Sequence, residues 1–390
     1  MSTTTGFAAT ASVDPRKLPR LLAGVSLGAL VLTLVGWAIS PRQFAFSYLT
    51  AWVFAVSLAV GGLFWAMLHH VTGAVWSVVI RRIPEQLAFV IVPLSLLALP
   101  LLLNLRHTHG WIEHPDAVWE KKKAYLNQPF FIGRTIFFLA AWVWMAWRLR
   151  RWSLRHDETG DPSSLRRMRW HSPTGLLILG VTTTFAAFDW LMSLDWHWYS
   201  TIFGVVYWAG AIVGSLAVIT LFALALRATG LTAITVEHLH DLGKLLFGFT
   251  IFWAYVSFSQ YFLIWYANLS EETPWYIQRM TGSWRALTLF LAVGHFVLPF
   301  LWLLPREAKR TPWRLGVAAG WLVFMHFVDL YWQVMPVLHN EGFSLSWLDL
   351  TASVGLTAAV FAWVAHSLQS NRPLPVRDPN LAASMKHHNE

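Results

Sequence analysis

The sequence predicts an all-α, polytopic integral membrane protein, on three observations. Of its 390 residues 56% are hydrophobic and only 13% charged, about half the charged share of an ordinary soluble domain. Ten long apolar runs follow one another, each near the twenty or so residues a helix needs to cross a bilayer core. The Lys and Arg residues between those runs fall mostly on one side of the membrane, the asymmetry that sets topology. With 15% aromatic residues and no cysteine, a disordered chain, a collagen-like repeat and a disulfide scaffold are excluded. The missing cysteine also excludes thiolate-held clusters and covalently attached haem in this chain.

Spans are expected near 20–40, 47–69, 86–104, 131–149, 173–195, 201–226, 243–267, 285–304, 313–335 and 347–368. The runs are continuous rather than alternating, so helices are expected and not a barrel. The first run is too long for the core of a cleavable signal and no small-residue cleavage site follows it. Residues 1–19 and 371–390 read as polar tails that stay mobile unless a partner holds them. The domain between, 20–370, is expected to divide into two four-helix halves, spans two to five and six to nine, with spans one and ten outside them.

One side collects 21 of the 29 Lys and Arg residues, including Arg81, Arg82, Arg148, Arg150, Arg151, Arg155, Arg166, Arg167 and Arg169, and the other side seven, with Arg134 just inside a span. Both termini are therefore expected in the cytoplasm. The net charge of +9 is then a topology signal, and no nucleic-acid footprint is left to explain. Segments 105–130 and 150–172 read as the two longer loops, neither large enough for a catalytic domain. No phosphate loop, nucleophile triad or HExxH-type metal motif is present.

Ionisable groups inside spans need a reason. Asp189 and Asp329 follow Pro173 and Pro312 by sixteen and seventeen residues on spans of the same direction, so they are expected at matching depth. His326, Asp329 and Gln333 share a helical stripe, with His295 midway along the preceding span. Thr250, Trp253, Ser257, Gln260 and Asn268 form a second stripe, which starts at Glu237, His238, His240, Asp241 and Lys244. Together these groups lay out two half-paths for protons. The competing reading is that they only tie helices together. It has the greater weight for the interfacial 237–244 cluster and the lesser for Asp329. His295 and His326 also admit a bis-His haem, but Asp329 one turn away suits a hydrogen-bonded imidazole better. Gly24-xxx-Gly28 and Gly210-xxx-Gly214 read as close helix approaches.

Three stretches, FDWLMSLDWHWYSTIFG (188–204), HDLGKLLFGFTIFWAYVSFSQYFLIWYANLSEETPWY (240–276) and WSVVIRRIPE (76–85), resemble the ten-span membrane subunits of alternative complex III. That complex is a bacterial quinol:electron-acceptor oxidoreductase of the polysulfide-reductase-like family. The likeness is to the shorter of its two homologous membrane subunits. It implies residence in the bacterial cytoplasmic membrane and a subunit with no haem, cluster or other cofactor of its own. It implies quinol, haem c and iron–sulfur clusters elsewhere in the complex, and admits a contribution to a proton path. The implied partners are the homologous quinol-binding membrane subunit, a periplasmic iron–sulfur subunit, haem c subunits and lipid. The residues that match the pattern are Asp189, Asp195, His197, His240, Asp241, Lys244, Gln260, Tyr261, Asn268, Glu271 and Glu272. Two alternatives stay open. On the first, this chain itself holds the quinol pocket, with Asp189 or His197 accepting the proton; on the second, it is a free-standing ion-coupled transporter.

Overall fold

The computed structural model describes residues 17–389 and contains ten helices long and apolar enough to cross a membrane, with no strand among the described residues. They are α1 (Leu18–Ile39), α2 (Pro41–Thr72), α3 (Arg82–Leu103), α4 (Gln128–Thr159), α5 (Pro162–Leu194), α6 (Phe203–Ala228), α7 (Val236–Ala267), α8 (Trp284–Leu303), α9 (Pro312–Val337) and α10 (Trp347–Ser370). The chain is a multi-pass membrane protein.

Two of these helices form the centre. α2 is buried along nearly all its length, and α6 packs along it. They meet where Gly61 faces α6: a Cβ there would lie 2.1 Å from Ser215 Oγ and 2.5 Å from the Ala211 carbonyl. α3, α4 and α5 complete a bundle around α2, and α7, α8 and α9 complete a second around α6. α5 also touches α6, and α9 touches α2, so the two halves are joined reciprocally. α1 lies against α10 outside both bundles. Each bundle repeats one tie: Trp190 Nε1 donates to Thr135 Oγ1 at 3.1 Å between α5 and α4, and Trp332 Nε1 to Thr288 Oγ1 at 2.7 Å between α9 and α8.

Three segments differ from the sequence expectation. Residues 150–172 are not a loop. α4 continues to Thr159, ends on Gly160 at φ +71° and hands directly to α5, whose Asp161 cap accepts the Ser163 N–H ahead of Pro162. A left-handed glycine followed by Asp-Pro makes a tight stop and restart, so the basic residues sit on helix extensions. α3 is broken into short helical pieces around Val90, Leu97 and Ala98. Pro93 and Pro100 disrupt the helix, and at the break Ala98 N–H bonds Ser95 O, so that Leu94 O is open to α2; Trp52 Nε1 of α2 donates to Leu94 O at 2.9 Å, and Tyr48 Oη to Leu97 O at 2.7 Å. The C-terminal tail, expected to be mobile, is strapped down by its own chain. Arg81 Nη1 lies 2.5 Å from Asp378 Oδ2, Ser384 Oγ donates to Trp76 O, and His387 Nε2 lies 2.7 Å from Asp241. Residues 1–16 of the expected N-terminal tail lie outside the described residues.

Candidate functional site

Asp329 is the centre of the second bundle. On α9 it is 2% exposed, and its two oxygens accept only from neutral groups. Trp253 Nε1 of α7 donates to Oδ2 at 3.0 Å, and Gln333 Nε2, one turn along α9, to Oδ1 at 3.1 Å. Because the Gln333 amide nitrogen faces the carboxylate, its Oε1 points elsewhere, and that buried oxygen has no partner among the described residues. The expected His326–Asp329 bond does not form. His326 Nε2 lies 2.7 Å from Ser57 Oγ on α2, and Ser57 gives its own proton to Phe54 O at 2.6 Å. Nε2 is therefore the donor, and Nδ1 is left a bare acceptor; it is buried and unpartnered.

Room for that ring comes from α6. A Cβ at Gly210 would lie 2.9 Å from His326 Nδ1, and one at Gly214 2.5 Å from its Cδ2. The second glycine pair is thus an imidazole cradle. Gly24 and Gly28, by contrast, face open space.

His295 joins the group through Trp253. Their rings stack with centroids 3.7 Å apart, and neither ring nitrogen of the buried His295 has a partner among the described residues. It sits in a π-helical turn, Ala292–Val297, inside α8. Such bulges free a backbone carbonyl and recur at functional sites, and here Trp321 Nε1 donates to Gly294 O at 2.7 Å. Trp253 therefore touches both a carboxylate and an imidazole. Asp329, His326 and His295 are brought together as three buried groups able to take a proton, none held by an arginine or lysine.

Beside Asp329 a cavity of about 560 Å³ opens between α7 and α8. Its floor carries Asp329, Gln333 and Gln260, and its walls Trp253, Tyr276 and Trp332. Gln260 Nε2 donates to Tyr276 Oη at 3.0 Å, and the buried Ser257 Oγ has no partner. Exposed Tyr255, Phe258 and Leu289 surround the mouth on the apolar outer surface of the bundle. Behind the floor Arg279 is fully buried. It donates to the Trp332 and Gln333 carbonyls at 3.2 and 2.7 Å and lies 3.5 Å above the Trp275 ring. Burial pushes its guanidinium down to about 9, because desolvation disfavours charge. It nevertheless caps the carbonyl end of α9, where a cation is favoured.

Asp189 in the first bundle is placed differently. Arg134 of α4 clasps it with two bonds, Nε to Oδ2 at 2.7 Å and Nη2 to Oδ1 at 2.9 Å. The guanidinium is itself sandwiched near Tyr125 and Phe130, at 3.8 and 4.2 Å from their ring centres. Asp189 precedes its tie-making tryptophan by one residue and Asp329 by three, an offset of about 3 Å along a helix.

The remaining expected path residues lie at the two ends of the bundles. Asp195 and His197 are at the end away from the C-terminal strap. There His197 Nε2 is 2.7 Å from Asp116 and its Nδ1 3.7 Å from Asp195, all three partly exposed. At the strapped end Glu237 takes both Nη atoms of Arg310, at 2.6 and 3.0 Å, and Asp241 is held by Lys244 at 2.6 Å and by His387. His240 is buried with a free Nδ1. These ties join α7 to the α8–α9 connection and to the tail. Asn268 terminates α7 in the left-handed conformation at φ 49°. Arg134, Arg279, Ser57 and Tyr276 were not singled out by sequence; of these only Arg134, an arginine inside a run, left a signal. No known family model matches the chain, and no curated protein is significantly similar to it.

Proposed function

We propose that this chain is a membrane subunit of a quinol-oxidising electron-transfer complex in the bacterial cytoplasmic membrane. It holds no haem or cluster of its own and carries protons through its second bundle. The observation that carries the proposal is the Asp329 site: a buried carboxylate with neutral partners, adjoining two imidazoles with free nitrogens. An intramembrane carboxylate that no cation holds can change charge state at lower cost than one in an ion pair. Two of the stretches that resemble alternative complex III membrane subunits also meet in space. Trp198 stacks on Trp275 with centroids 4.5 Å apart, and Ser200 Oγ donates to Gln260 Oε1 at 3.3 Å. On this reading the strapped, basic side faces the cytoplasm, as the Lys and Arg distribution requires.

Purification of the chain from native membranes tests the assignment. Recovery with haem c and iron–sulfur subunits is expected; recovery alone, with no haem or iron, overturns it. In the reconstituted complex Asp329→Asn should leave assembly intact and reduce proton movement coupled to quinol oxidation about tenfold or more. Unaltered proton movement would return Asp329 to a structural role.

A further inference from the structure

We infer that the cavity between α7 and α8 is a binding site for the ring of a quinol-class molecule: an aromatic diol with an apolar tail, taken in from the membrane. The choice of quinol among hydroxylated membrane molecules rests on the function proposed above; the site itself rests on its geometry. Access comes first. The mouth is bordered by Tyr255, Phe258 and Leu289, 67%, 62% and 55% exposed on the outer face of membrane-spanning helices, so a ligand reaches it from lipid and leaves its tail there. Shape and wall chemistry come second. A cavity of about 560 Å³ is within the range of small-molecule sites, and Trp253, Tyr276 and Trp332 present ring faces and edges to a flat guest.

The polar floor then selects the oxidation state. Gln333 spends its N–H on Asp329 and keeps a buried oxygen without a partner. An unpartnered buried acceptor is costly, and a ligand hydroxyl that donates to it removes the cost. Ser257 Oγ is a second buried atom without a partner. Tyr276 accepts from Gln260 and retains its own proton to give. A quinol offers O–H donors to the Gln333 oxygen and lone pairs to Tyr276. A quinone has only carbonyl acceptors, and the Gln333 oxygen would face one of them unbonded. The reduced form should therefore bind more tightly, by about tenfold for one hydrogen bond gained.

The test uses the purified full chain in detergent, titrated with a short-tailed naphthoquinol kept reduced, with its oxidised quinone, and with phosphatidylglycerol as a lipid control. Quenching of the wall tryptophans reports binding. Saturable binding is expected with the quinol about tenfold tighter than the quinone. Leu289→Trp, at an exposed mouth position that leaves the core untouched, should weaken quinol binding about tenfold or more. Gln333→Leu should erase the preference for the reduced form. Equal binding of both redox forms by the unaltered chain, binding unmoved by Leu289→Trp, or displacement of quinol by equimolar phosphatidylglycerol would overturn the inference. Membership of a complex is decided by copurification and not by this titration, so the two can fail separately.

Discussion

Each four-helix bundle buries one aspartate near a tryptophan that reaches across to a threonine, Trp190 to Thr135 in the first and Trp332 to Thr288 in the second. What differs is the residue before that threonine. In the first bundle it is Arg134, and a two-pronged guanidinium locks Asp189. In the second it is Leu287, and Asp329 lines a cavity with no cation on its oxygens among the described residues. Tyr331 occupies the place before Trp332 that Asp189 holds before Trp190, and its hydroxyl turns to Ser344 O and Asp349. Asp329, two residues earlier, is left with an indole and an amide. One scaffold thus supports a fixed ion pair and an unpinned carboxylate. On the function proposed above, the partner rather than burial separates a structural aspartate from one that exchanges a proton.

The largest expected effect breaks the first bundle. Arg134→Leu strands Asp189 as a buried charge, and removing one partner of such a pair costs about 3–5 kcal/mol. Arg134→Leu with Asp189→Leu should recover most of that loss. Asp329→Asn should cost far less, about 1 kcal/mol or below. The new amide can still accept from Trp253, and Gln333 can turn its unpartnered oxygen to meet the new N–H. Unfolding of the three variants under denaturant checks the contrast. Equal losses for Arg134→Leu and Asp329→Asn would end the distinction between the bundles.

Removal of residues 375–390 addresses what holds the two bundles in one unit at the basic side. Arg81 would keep only Glu85 at 3.4 Å, and the Ser384 contacts with Trp76 and Val79 of one bundle and His238 of the other would go. A loss of about 2–3 kcal/mol is expected. Hydrogen exchange should rise at 76–85 and 237–244 together. A rise at only one of them would show that the strap serves one bundle alone.

Much of this contrast could be read in the chain before folding, and the rest had a physical reason to be hidden. The ten spans, their grouping and the aspartates were visible because lipid penalises charge and rewards length of apolar run. Helical spacing put Gln260 on a polar stripe, Asp329 on another and His295 midway along the span between them. The partners of each group did not follow, because spacing along one helix is silent about rotation against its neighbours. His326 therefore looked like the partner of Asp329 at i−3, but it turns into the Gly210–Gly214 cradle towards Ser57. Asp189 looked solitary because its arginine is 55 residues away. The 150–172 segment looked like a loop because its charge hides its helical register.

Gly214→Ala probes the seam between the bundles. The new Cβ would lie 2.5 Å from His326 Cδ2 and 3.2 Å from Leu58, so the imidazole must leave Ser57. Overpacking of this kind costs about 1–2 kcal/mol. Gly214→Ala with His326→Ala should relieve the clash and restore the packing of α6 against α9. If Gly214→Ala is neutral, the cradle is slack and His326 owes its position to Ser57 alone.

The smallest effect lies at the surface of the first bundle, where Asp116 fastens the α3–α4 connection. Its carboxylate accepts the Trp119 N–H at 2.7 Å, the Trp196 indole at 3.2 Å and His197 Nε2 at 2.7 Å. These bonds, the Trp119 backbone N–H foremost, hold its carboxyl below the ordinary carboxylate value. A carboxyl whose folded value is depressed stabilises the structure above its unfolded value and loses that contribution as pH falls through the folded one. The connection should therefore hold at neutral pH and loosen below about pH 4. Hydrogen exchange at residues 113–123 would report this. Asp116→Asn should make the protection of the connection, taken relative to the intrinsic exchange rate, independent of pH through that window and lower than in the unaltered chain at neutral pH. If acid still loosens the connection in Asp116→Asn as it does in the unaltered chain, a group other than Asp116 fastens it.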